Sequence, residues 1–259
     1  MRVVGIIAAR MASSRFPGKP LVRVRGVPMI GHVYHRARLA RQMHDVWIAT
    51  CDQSIIEYSA QIGANAVLTR DTHERATDRI AEAVPYIEER TGERLDVAVL
   101  VQGDEPMLRP EMLDELISGM MKRGASVANL MNPIADALEF EDANTVKVVC
   151  DPDGYALYLS REPIPSRRKF SGAVPMWKQL GLIAFTRDAL LEYSALPATP
   201  LEQIESVDMN RLLEHGRKLL MVPSMHRITA IDTPEDRIRV EGLMADDRLM
   251  SAYQGDRVE

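Results

Sequence analysis

Apolar and polar positions alternate in blocks along the first half of the chain. Val3-Val4-Gly5-Ile6-Ile7-Ala8-Ala9 is a short β-branched run bounded by small polar residues, the pattern of a fully buried strand. Helical periodicity follows near residues 29–41, and 45–50 returns to strand. A helix over 53–62, a short strand at 66–68, a helix from 78 to about 89 and an apolar run at 95–101 keep the rhythm. Pro110 then opens a helix reaching about residue 123. This alternation predicts an α/β fold: a mostly parallel sheet with helices on both faces.

The second half reads differently. Segments 146–150 and 181–185 look like strands, and Asp151-Pro152-Asp153-Gly154 is a hairpin turn leading into a strand at 155–160. Residues from about 130 to 200 are therefore expected to form a smaller mixed β region within one domain spanning 1–259. A helix at 201–215 and a strand at 219–222 return the chain to the main sheet.

Composition narrows the class. The chain has 259 residues, 46% of them hydrophobic and 27% charged, enough for a proper core. A net charge of −5 argues against a nucleic-acid surface, so basic residues that cluster do so for a local reason. No apolar run approaches the roughly 18 residues of a membrane span, and the N-terminus lacks a signal pattern. Cys51 and Cys150 offer neither metal spacing nor a disulfide framework, so a reduced, cytoplasmic setting is expected.

The loop after the first strand is such a cluster. Arg10, Arg15 and Lys19 stand among Ser13, Ser14 and Gly18 at the carboxyl end of a buried strand. Cations and open backbone N–H groups there suit a polyphosphate. The loop matches neither G-x-x-x-x-G-K-[ST] nor G-x-G-x-x-G, so a different nucleotide fold is required. A solvated basic loop is the plain alternative.

Gln102-Gly103-Asp104-Glu105-Pro106 ends another buried strand, where a carboxylate can hold Mg²⁺ with phosphate oxygens completing the shell. Asp232-Thr233-Pro234-Glu235-Asp236 opens the last helix. Either Asp232 or Thr233 is a good N-cap there, while Asp232 paired with Asp104 would be a second metal carboxylate. Without a ligand, two such carboxylates would repel each other. In the stretch 73–79, Thr77 or Asp78 is expected to cap a helix and His73 to be a lone surface histidine. Arg161, stiffened by Pro163 and Pro165, suits a carboxylate or phosphate. Arg167-Arg168-Lys169 reads as a solvated loop. No Ser/His/Asp or Cys/His arrangement stands out, which leaves direct displacement on phosphorus as the natural chemistry.

Together, Ala9-Arg10 through Lys19-Pro20-Leu21, Gln102-Gly103-Asp104-Glu105-Pro106, Ser160-Arg161-Glu162-Pro163-Ile164-Pro165, Pro200-Leu201-Glu202-Gln203-Ile204-Glu205 and Asp232-Thr233-Pro234-Glu235-Asp236 resemble the CMP-Kdo synthetases, the 3-deoxy-manno-octulosonate cytidylyltransferases. The resemblance runs from about residue 3 to 243. It implies a nucleotide-diphosphosugar-transferase-like fold, a homodimer, and CTP with Mg²⁺ as cosubstrate and cofactor. By motif position, Arg10, Ser13 and Lys19 would hold the triphosphate. Ala8, Ala9, Arg75, Thr77, Arg79 and Gln102 would line the rest of the nucleotide, and Asp104 and Asp232 would hold magnesium. Arg15, Arg161, Gln179, Glu205 and Asp208 would face the acceptor, with Arg10, Lys19, Asp104 and Asp232 carrying catalysis.

The departures concentrate on the acceptor side. Arg75-Ala76 stands where the family usually has Ser-Gly, and Gln179-Leu180-Gly181-Leu182-Ile183 where it has His-[Ile/Leu]-Gly-Ile-Tyr. Val207-Asp208-Met209-Asn210-Arg211 replaces Leu-Glu-Gln-Leu-Arg. Lost hydroxyl partners are worth about one to a few kcal/mol each. The expected activity is CMP transfer from CTP to an anionic acceptor, Kdo or a related 3-deoxy-ulosonic acid first, a phosphonate as the alternative. A silent nucleotide-binding protein is a rival that would most simply lack Asp104 or Asp232, and both are present.

Overall fold

The computed structural model describes residues 1–12 and 16–253. In chain order the strands and helices are β1 (Val3–Ala9), β2 (Arg23–Val24), β3 (Val27–Pro28), α1 (Met29–Ala37), β4 (Asp45–Thr50), α2 (Gln53–Gln61), β5 (Asn65–Leu68), α3 (Ala76–Thr91), β6 (Val97–Gln102) and α4 (Pro110–Arg123). The second half adds β7 (Val127–Pro133), α5 (Ala137–Glu141), β8 (Lys147–Cys150), β9 (Ala156–Ser160), β10 (Trp177–Thr186), α6 (Arg187–Ala195), α7 (Pro200–Glu205), α8 (Asn210–Glu214), β11 (Leu220–Pro223), α9 (Pro234–Leu243) and α10 (Arg248–Ser251).

One nine-stranded sheet runs β11-β7-β10-β6-β1-β4-β5, and the β8–β9 hairpin joins it along β10. β1 pairs in parallel with β4 and β6, β4 with β5, and β7 with β11. β10 runs antiparallel between β6 and β7. The β1 side chains alternate between faces, as a strand's period of two demands. Val4, Ile6 and Ala8 join Ile80, Val84 and Ile87 of α3, with Leu190 and Tyr193 of α6. Val3, Ile7 and Ala9 pack against Ile30, Ile55 and Met112, from α1, α2 and α4. The mostly parallel sheet with helices on both faces is therefore present.

Local chemistry sets the helix limits. Pro110 occupies the first position of α4 and Gly124, left-handed at φ 59, ends it after Lys122 and Arg123. α3 begins at Ala76 with Arg75 as its N-cap residue, so neither Thr77 nor Asp78 caps it; both lie in its first turn. The single helix expected over 201–215 is two, because Ser206 turns left-handed at φ 52 and stops α7. The strand expected at 181–185 starts at Trp177, its pattern interrupted by an irregularity between Gln179 and Ile183. β7 and α6, and the short β2, β3, α5 and α10, have no counterpart in the sequence reading. Among the described residues Cys51 and Cys150 are free thiols, and no helix is long and apolar enough to cross a membrane.

Candidate active site

A cleft of about 360 Å³ opens at the carboxyl ends of β1 and β6. Its walls come from residues 8–10, Ala12, Lys19, residues 73–76, Arg79, 102–104 and Asp232, while Thr77 is buried behind them. The two strand ends are closely apposed, with Ala8 opposite Gln102 in register. Gly103 makes this possible, since a Cβ there would sit 2.9 Å from the Ala8 carbonyl oxygen. Gln102 rests on Gly181 of β10, where a Cβ would lie only 2.4 Å from Gln102 Cγ.

Lys19 is 7% exposed and donates from Nζ to Asp104 Oδ2 and Asp232 Oδ1, both at 2.8 Å. Burial works against its charge, but the two carboxylates outweigh burial and raise its pKa above the ordinary lysine value. The expected repulsion between the carboxylates is thus answered by an ammonium held between them. Asp232 is not the helix cap. Thr233 fills that position, its hydroxyl accepting from Asp236 N while the Asp236 carboxylate accepts from the Asp232 and Thr233 amides. The segment is fixed beside Asp104 by a main-chain bond, Ile231 N to Asp104 O at 3.0 Å. Two hard oxygen donors converging on one positive charge, with one face open to a cleft, fit magnesium.

Glu105 lies behind Asp104, fully buried, with Oε2 unpartnered among the described residues. Burial first, then Asp104, pushes its carboxyl up to about 8, so it is held largely neutral at neutral pH. Arg10 is exposed on the cleft wall and carries no hydrogen bond or ion pair among the described residues. Ser13 and Arg15 lie outside the described residues.

The opposite wall is a fastened loop. Arg79 is buried and donates to Thr69 Oγ1 at 2.6 Å and to the Arg70 and His73 carbonyls. His73, expected alone at the surface, is largely buried and paired with Glu82. Arg75 reaches Ser206 Oγ at 3.2 Å and Asp208 at 3.3 Å. Thr77 Oγ1 donates to Asp208 Oδ2 at 3.2 Å. Burial raises the Asp208 pKa despite Arg75 and Thr77. Arg75 and Arg79 line the cleft, whereas Arg161, Gln179, Glu205 and Asp208 do not. Arg161 donates to the Glu205, Ala143 and Ser206 carbonyls. Glu205 accepts from Tyr158, Ser160 and the Arg161 amide, and Gln179 donates to buried Asn129.

A cleft at the carboxyl ends of parallel strands, with a lysine held between two carboxylates, is where an α/β sheet receives a charged ligand. The chain belongs to the cytidylyltransferase family, whose pattern matches residues 4–219. It is 38% identical to the 3-deoxy-manno-octulosonate cytidylyltransferase of Solibacter usitatus (strain Ellin6076), covering 93% of this chain and 94% of that protein. With that of Anaeromyxobacter sp. (strain Fw109-5) it shares 41% identity, over 94% and 97% of the two chains. The solved structure of CMP:2-keto-3-deoxy-manno-octonic acid synthetase complexed with CTP superposes with a TM-score of 0.86 at 38% identity, covering 95% of this chain and 99% of that one.

Sequence reasoning missed Glu105 as a buried neutral acid and Arg36 as a buried cation behind the site. The second had a signal: His32 and Arg36 stand one helical turn apart on the otherwise apolar face of α1.

Proposed function

We propose that the protein transfers CMP from CTP to 3-deoxy-manno-octulosonate (Kdo), releasing pyrophosphate. The observation that carries this reading is the convergence of Lys19, Asp104 and Asp232 at the cleft, in a chain that aligns nearly end to end with Kdo cytidylyltransferases. An acceptor hydroxyl oxygen attacks the α-phosphorus in line, a new P–O bond forms, and the bond to the β-phosphate oxygen breaks. Arg10 and Lys19, with Ser13, bind the triphosphate, and their charge offsets the negative charge that shifts toward pyrophosphate. Ala8, Ala9, Arg75, Thr77, Arg79 and Gln102 hold the rest of the nucleotide. Asp104 and Asp232 would hold Mg²⁺, which when bound neutralises phosphate charge. Positioning supplies much of the remaining rate.

On the acceptor side, Glu205, Gln179 and Asp208 shape the wall together with Arg161, and Arg15 supplies charge. Arg75, braced by Asp208, is the cation through which that wall reaches the cleft. We extend the reading to a cytoplasmic homodimer, with residues 130–200 as its acceptor-side and dimerisation region. Leu138 and Leu157 support this, lying 84% and 63% exposed on α5 and the edge strand β9.

The test is pyrophosphate release with CTP and a panel of Kdo, other ulosonic acids and small phosphonates, repeated with UTP, ATP and GTP. Release should be fastest with CTP and Kdo, and CTP should exceed UTP by well over tenfold, a missed base hydrogen bond costing more than about 1.4 kcal/mol. Equal use of UTP, or faster turnover of a phosphonate, overturns the assignment.

A further inference from the structure

Asp104 and Asp232 are carried by segments remote in sequence, and catalysis by both requires something to fix their spacing. The main-chain bond from Ile231 to Asp104 links the segments through the backbone, and Lys19 bridges their carboxylates on the cleft side. Behind it lies a small third core, separate from the two that flank the sheet. Ile231, Val240, Met244 and Met250 pack there with Val24 and Met29, and Met107 and Tyr253 lean against them. This core is apolar apart from one cluster on α1.

Arg36, 1% exposed, is the hub of that cluster. Its Nη1 donates to the Leu108 carbonyl at 3.3 Å, on the loop that follows Asp104. Its Nε donates to the Tyr253 hydroxyl at 3.0 Å, and its Nη2 is paired with Asp247. Tyr253 and Asp247 both belong to the segment that follows Asp232. One turn earlier, His32 Nε2 lies 2.7 Å from the Val24 carbonyl and Nδ1 2.8 Å from the Tyr253 hydroxyl. The network assigns the tautomer: Nε2 donates to Val24, and Nδ1 accepts from Tyr253, whose oxygen accepts from Arg36. Burial holds His32 neutral, its pKa pushed down to about 4, in keeping with that tautomer. The His35 ring stacks on Tyr253 with centroids 5.3 Å apart.

A buried guanidinium is a poor way to gain stability, because its desolvation consumes most of what its bonds return. Apolar packing would close this core equally well. Its value is directional: the donors of one rigid fork reach both carboxylate-bearing segments and little else. We propose that Arg36, together with Asp247 and Tyr253, is a positioning device that sets the distance between Asp104 and Asp232. The proposal rests on the function proposed above for what those carboxylates hold.

Two measurements test it in the full-length protein. Mn²⁺ binding in the presence of saturating CTP, followed by electron paramagnetic resonance, should weaken about tenfold or more in Arg36→Met and Asp247→Asn, because the segments that carry the carboxylates lose their common anchor. Tyr253→Phe should weaken it less. Met244→Ala, a cavity in the same core at a side chain that shares no hydrogen bond with Arg36, should lower the melting temperature yet leave Mn²⁺ affinity unchanged. Hydrogen exchange at the Ile231 amide, measured without metal or nucleotide, should accelerate in Arg36→Met and Asp247→Asn but not in Met244→Ala. Wild-type Mn²⁺ affinity with wild-type Ile231 exchange in the folded Asp247→Asn variant overturns the proposal, as does equal weakening by Met244→Ala. If wild-type protein binds no Mn²⁺ with CTP, the metal reading fails, and exchange at Ile231 still decides the clasp.

Discussion

Two walls, that of the cleft itself and that of the β8–β10 region outside its lining, use charge in opposite ways. At the ends of β1 and β6, Lys19, Asp104 and Asp232 point their charges at one another across an open site, and Arg10 stands on the rim. On the second wall, built from β8, β9, β10 and α7 and outside the cleft lining, the charges turn inward. Arg161 clasps three carbonyl oxygens, Glu205 is saturated by Tyr158, Ser160 and an amide, and buried Lys147 caps the Asp142, Thr145 and Arg161 carbonyls. That wall contains irregular chain around 142–146 and 161–176, whose main-chain groups have few ladder partners. Cationic side chains take the place of those partners. One wall turns its charges toward an open cleft, the other uses them to hold its own backbone in place.

Substitutions on the first wall should therefore damage turnover without damaging the fold. Lys19→Ala is expected to lower kcat/KM for CTP by about 10² or more, as loss of a transition-state charge contact does. Arg10→Ala should follow it closely. Circular dichroism should leave both indistinguishable from wild type; near-normal activity in either would place the phosphates elsewhere.

A more moderate effect is expected where the walls touch. Gly181→Ala would push Gln102 off its seat, because the new Cβ would lie 2.4 Å from Gln102 Cγ. The KM for CTP should rise about tenfold, the cost of one displaced hydrogen-bonding group, while the KM for the acceptor changes little. A larger change in acceptor KM would mean that Gln102 serves the other substrate.

The second wall should answer in stability and in pH dependence. Burial alone would raise the Glu205 pKa, but the Arg161 amide and the Tyr158 and Ser160 hydroxyls overcome it and hold the carboxyl below its ordinary value. A depressed folded-state pKa contributes stability above the unfolded value, near 4.5, and that contribution disappears as pH falls through the folded value. Glu205→Gln should therefore melt a few degrees lower at pH 7, for a loss of about 1–2 kcal/mol. The deficit should shrink toward pH 3. A deficit that is constant with pH would assign the loss to packing rather than to the ionised carboxylate.

The sequence spoke clearly for the first wall and poorly for the second, for physical reasons. From β1 to α4 most elements carry a period and breakers of their own, so strands such as Asp45–Thr50 and helices such as Pro110–Arg123 stand at their expected limits, although α3 starts at Ala76 rather than 78. β7 was hidden because Asn129 and Asn132 lie buried within it and interrupt the apolar run. Asn129 is satisfied across the sheet by the Leu180 and Leu182 carbonyls and by Gln179, partners no local pattern announces. The break between α7 and α8 falls at Ser206, a residue type with little intrinsic claim to positive φ. Asp104 was legible because it comes just after a buried strand, and Lys19 because it stands in a loop of cations and glycine that leads from another. Their meeting with Asp232 was not, since it depends on how the chain returns after β11. Thr233 and Asp232 were equally good caps on paper, and only the Asp236 carboxylate decides between them.

The central claim is that Asp104 and Asp232 act as one unit. Groups that work together give strongly non-additive losses, each single substitution costing nearly as much as both. The measurement is kcat for CTP-dependent pyrophosphate release with Kdo in Asp104→Asn, Asp232→Asn and the double variant. The account predicts losses of about 10² or more in each single variant and little further loss in the double. Multiplying losses, or an Asp232→Asn variant that turns over normally and melts several degrees lower, would contradict it and return Asp232 to the role of a helix-terminal residue.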